Sequence, residues 1–146
     1  MQALDNEIII NQIITKNYAE IPVTLAGGKI TAKLRTLQVG DQLQIEDAIA
    51  GMKEKSQLFI LHQYSMLLLA RSLIEYNDQK FTPETHELTY AFIEKLPSPV
   101  IDILVKQREE FQQAVMKMLV PEELEKSFFP VNSSDEEFNS SLKVTT

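Results

Sequence analysis

A chain of 146 residues with 44% hydrophobic content is long enough to close one self-supporting core, which excludes wholesale disorder. Its net charge of -7 disfavours a nucleic-acid role, because binding a phosphate backbone needs a basic footprint. It has no cysteine, so disulfides, thiol catalysis and cysteine-ligated zinc or iron–sulfur sites are excluded.

The chain starts at Met1 and soon meets Asp5 and Glu7. It lacks the basic segment of a secretory signal, and Ile8–Ile10 is too short for a signal core, so synthesis in the cytoplasm without export is expected. Residues 1–17 form an N-terminal arm. Ile10, Ile13 and Ile14 have helical spacing, while β-branching equally admits a strand. Either way this isoleucine cluster must pack on the core or on another molecule.

Residues 18–130 are expected to form a single domain that opens with a β-hairpin at 20–37. Gly27–Gly28 suits a two-residue type I′ or II′ turn, since glycine accepts positive φ. The matching register sets Leu25 opposite Ile30, Val23 opposite Ala32 and Ile21 opposite Leu34 on one apolar side. Thr24 and Thr31, and Glu20 and Arg35, then face each other on the wet side. Pro22 cannot donate to a ladder, so the first strand should be an open edge. A lone hairpin is marginal, so its apolar side should meet a helix or a third strand.

Asp41 can cap the next helix, with Gln44 as its capping-box partner. Ile45, Ala48, Ile49 and Met52 form its apolar side and Gly51 its end. The stretch Gln57–Tyr76 reads as the central helix. Ile60, Leu61, Tyr64, Leu67, Leu68 and Ile74 share a face, and apolar residues on the other sides call for cover from several elements. His62, Gln63, Arg71 and Glu75 interrupt it and argue against a membrane span.

Asn77–Lys80 reads as a polar loop. Thr82, Pro83 and Thr85 open a helix carrying Leu88, Phe92, Ile93 and Leu96, and Pro97 and Pro99 break the chain. Ser98 caps a last long helix running to about Leu119. Its Ile101, Leu104, Phe111, Val115 and Met118 fall at heptad core positions around Arg108. That side is a candidate protein-binding or self-association surface, against the alternative of packing inside the molecule. A buried Arg108 would demand a carboxylate partner, with Glu75 and Asp102 the candidates. A short helix at 121–128 would place Leu124 and Phe128 together, either capping the core or anchoring a partner. Residues 131–146 are polar and acidic and read as a flexible tail.

No catalytic constellation appears. His62 reads as an ordinary helix histidine, and His86-Glu87, without a second histidine, as the polar side of a first turn. Gly27–Gly28 lacks the downstream lysine of a phosphate cradle, the serines lack a nucleophile elbow, and the acidic SSDEE run lacks a calcium loop's central glycine. No cofactor or metal is implied. The expected class is mainly α: an N-terminal β-hairpin packed on a bundle of about four helices, with a flexible C-terminal tail.

The run Leu34-Arg35-Thr36-Leu37-Gln38-Val39-Gly40-Asp41, where strand hands over to acidic helix, resembles a junction in the small tail assembly chaperones and baseplate-hub assembly proteins of tailed bacteriophages. Arg35, Leu37, Val39 and Asp41 occupy its places, with Gln38 where threonine is usual. The later Leu96-Pro97-Ser98-Pro99 before an apolar helix is similar to their C-terminal half. The resemblance implies a non-enzymatic protein in the host cytoplasm that binds the tape measure protein or other unassembled tail components. Alternatives are a baseplate or tail component retained in the virion, and a small-ligand or regulatory binding module.

Overall fold

A computed structural model describes residues 4–121. The chain is mainly α, with five helices among the described residues and a four-stranded antiparallel sheet near the N-terminus. Helix α1 (Asn6–Lys16) begins at Asp5, whose carboxylate accepts from the Glu7 and Ile8 backbone N–H groups, and ends at Asn17 in the left-handed region. Of its isoleucines, Ile9 is buried and Ile13 packs on the core, while Ile8 and Ile14 face outward.

Strands β1 (Glu20–Leu25) and β2 (Ile30–Arg35) pair in the register the sequence dictates, from Glu20 opposite Arg35 to Leu25 opposite Ile30. That register leaves a four-residue connection, not a two-residue turn. Ala26, Gly27 and Gly28 all take positive φ there. Strand β1 is a sheet edge, and its outward donors are largely silenced. The Glu20 N–H donates to the Gln12 side chain at 2.9 Å. Two residues on, Pro22 has no N–H, so Thr24 holds the remaining outward donor.

Helix α2 (Val39–Ala50) leads to α3 (Gln57–Ser72), capped by Ser56, whose hydroxyl accepts from the Phe59 N–H. The central helix stops four residues short of the expected Tyr76. Leu73 turns extended, and β3 (Leu73–Tyr76) follows without a loop and pairs with β2. Ile74 is accommodated as a bulge, because Lys33 pairs with Glu75 while Leu34 pairs with Leu73. The expected polar loop is a tight turn, with Asn77 and Asp78 at positive φ, into the short β4 (Gln79–Lys80). Asn77 also clamps Thr31 of β2: its Oδ1 accepts from the Thr31 N–H and its own N–H donates to the Thr31 carbonyl.

A 3₁₀ turn at Pro83–Thr85 precedes α4 (His86–Ile93), which buries Thr89 and Ile93 and leaves Leu88 exposed. Helix α5 (Ser98–Leu119) closes the domain with Ile101, Leu104, Phe111 and Val115 buried. The contiguous core joins β1–β3, the second half of α3, and the inner sides of α1, α4 and α5.

Candidate functional site

Two features stand out, a buried ion network and an uncovered apolar helix end. The network is built on Asp41. That residue does not cap α2 as expected. It sits in the first turn, Gln38 is the cap, and the Asp41 carboxylate reaches back to accept from the Gln38 N–H at 2.9 Å. Asp41 Oδ2 also accepts from Arg35 Nη2 at 3.1 Å, and Oδ1 from Arg71 Nη1 at 3.3 Å. Arg35 and Arg71 are only 3% and 8% exposed, so one carboxylate is shared between two buried cations from β2 and α3. Burial raises the Asp41 pKa, but the Gln38 N–H, the Arg35 charge and the bonds from both arginines outweigh it, leaving the carboxyl below its ordinary value.

Arg35 Nη1 donates to the Thr36 carbonyl, while its Nε is buried without a partner. On the far side Arg71 Nη2 lies 3.0 Å from His86 Nε2, and a guanidinium offers only donors, so the imidazole accepts. His86 therefore belongs to the inner network and not simply to a polar helix surface. Arg35 and Asp41 thus meet in space, Leu37 is half-buried, and Val39 is exposed on the outer face of α2. The resemblance marked Arg35 and Asp41 as junction positions but not as an ion pair, and Arg35, expected on the wet side, is buried. Arg71 and His86 were missed, because neither spacing nor residue type announces a contact made across three elements.

The second feature is the N-terminal half of α3. Leu58 and Leu69 are eleven residues apart and lie within about 20° on one side of the helix. Leu69 is fully enclosed, whereas Leu58 is 79% exposed. The core stripe therefore continues beyond its cover, and Leu61, Phe59 and Tyr64 are also exposed there. This corrects the expectation of a central helix sheathed along its length. No Asp, Glu, Lys or Arg occurs between Ser56 and Ala70, although the Lys55 ammonium lies 5.6 Å from the centre of the Phe59 ring.

The heptad positions of α5 lie elsewhere. Ile101, Leu104, Phe111 and Val115 are enclosed within the domain and Met118 packs against them, so this side of the helix is already occupied. Burial pushes the Arg108 guanidinium down, opposed by Glu109 and Tyr64 and not by the expected Glu75 or Asp102. Leu124 and Phe128 lie outside the described residues, as does the tail at 131–146.

On the outer face of the sheet a cleft of about 550 Å³ is lined by Lys33, Arg35, Lys80, Glu20, Glu75 and Glu84 among others. Register sets Glu20 against Arg35 and Glu75 between Lys33 and Lys80, so its charges alternate and neither sign dominates. Among the described residues no group of three His, Asp or Glu side chains is placed to hold a metal ion, and no helix is long and apolar enough to cross a membrane.

No family model matches the chain, and no curated protein matches it. Among solved structures it is similar to the tail assembly chaperone of bacteriophage HK97, with 16% identity, 68% of this chain and 92% of that chain covered, and a TM-score of 0.43. That degree of similarity is too slight to decide function.

Proposed function

We propose that this chain is a non-catalytic binding protein, a tail assembly chaperone or adaptor acting in the host cytoplasm. It holds an apolar helical surface of the tape measure protein, or of another unassembled tail component, until assembly. The observation that carries the reading is the uncovered first half of α3, without a charged residue of its own, where Leu58 continues the core stripe into solvent and Leu61 stands exposed one turn on. Contiguous exposed apolar surface of this kind marks an interaction site, and an amphipathic helix is the partner geometry that suits it. The Arg35–Asp41 junction, on which the phage resemblance rests, serves here to fix α2 against β2 and α3.

Co-expression with the tape measure protein tests the reading. The native chain should co-purify with it, and the Leu58→Ser/Leu61→Ser double variant should lose capture while keeping the native melting temperature. Equal capture by both chains removes α3 as the binding surface. No capture by the native chain ends the chaperone reading, and stoichiometric recovery in finished particles would favour a structural component.

A further inference from the structure

Next to the exposed end of α3 lies α2, and its attachment is slight. Of the twelve residues of α2, Ile45 alone is buried. Ile45 is 1% exposed, yet neither it nor the similarly buried Leu68 of α3 belongs to the contiguous core. The opposite face of α2 carries Val39 and Leu43 in solvent. Beyond Ile45 and the half-buried Ile49 one turn further on, α2 is held by the two ion pairs of Asp41, to Arg35 of β2 and Arg71 of α3. A helix fixed by a short apolar stripe of two isoleucines and one carboxylate has few interactions to lose on opening, which is the physical description of a low-stability unit. Opening must bring water to Arg35 and Arg71 as Asp41 leaves, since two buried cations without a counter-charge would be costly.

We propose that α2 is a separately opening cover, released as a unit when Asp41 lets go of Arg35 and Arg71. Opening bares Leu68 beside the apolar end of α3 and frees Ile45 on the departing helix, so the Asp41 clamp regulates how much binding surface is on offer. The regulatory role rests on the function proposed above, whereas the opening itself is a property of the chain alone.

Hydrogen exchange on the full chain at neutral pH tests the opening without any partner. Amides of residues 43–50 should show protection at least ten-fold lower than those of Ile30–Arg35. In Asp41→Asn, protection should vanish from residues 43–50 while the sheet stays protected. Equal protection of α2 and the sheet in the native chain, or loss through both in the variant, overturns the cover. In the tape measure co-purification, Asp41→Asn should be captured at least as well as the native chain, and weaker capture would overturn the regulatory role. Failure of the native chain to capture anything strikes the proposed function and leaves the exchange result to judge the cover.

Discussion

At the scale of single residues, Asp41 has the largest consequences. Its native pKa lies below the ordinary value, so the ion network contributes stability that is fully present above the unfolded carboxylate pKa of about 3.9. That stability is lost as pH falls through the lower native value. A pH series of denaturant melts should show stability declining below about pH 4, and Asp41→Asn should lack this component of the decline. Thr89 points the other way. It is fully buried on α4, and its hydroxyl has no hydrogen-bond partner. Its desolvation is uncompensated, so the near-isosteric Thr89→Val should stabilise the fold by about 1 kcal/mol, read from the shift in urea midpoint at unchanged slope.

At the scale of elements, the turn from β3 to β4 concentrates backbone strain in two adjacent residues. Asn77 and Asp78 both have positive φ, but Asn77 earns its place through its side-chain bond to the Thr31 N–H, whereas Asp78 has no such bond. Asp78→Gly should therefore raise thermal stability by about 0.5 kcal/mol, while Asn77→Gly should lower it by removing the clamp on β2. The first hairpin was legible in the sequence, because the alternation of Ile21, Val23 and Leu25 against Ile30, Ala32 and Leu34 permits one register with all six on a common side. The length of its connection was less so, since two glycines suit a short turn and a longer one equally. The handover from α3 to β3 was hidden for a different reason. Leu73–Tyr76 continues a helical pattern, and pairing with the distant β2 overrides local preference.

At the scale of the whole molecule, the two apolar sides that look alike in sequence have opposite fates. Phe111→Ser removes an almost wholly enclosed ring from the core and should cost about 3–5 kcal/mol, enough to leave the protein largely unfolded by circular dichroism. Leu58→Ser removes a side chain already in water and should change stability by no more than about 0.5 kcal/mol in the same measurement. Heptad spacing on the charged helix α5 marked a narrow apolar stripe, and the fold decided that the stripe met the core and not a partner. Helix α3 is apolar nearly all round, so its sequence could not say where cover stops.

The sequence by itself determined the mainly α class and the hairpin register, since these follow from local periodicity and turn chemistry, and it marked the apolar side of α5 without deciding whether that side met the core or a partner. The tertiary structure alone decided that α3 ends in a strand, that its first turns stand uncovered, and that Asp41 joins Arg35 to Arg71 beside His86. Those outcomes depend on which distant segments arrive at the same place, and the spacing of residues along a chain carries no record of the cover or counter-charge supplied by another element.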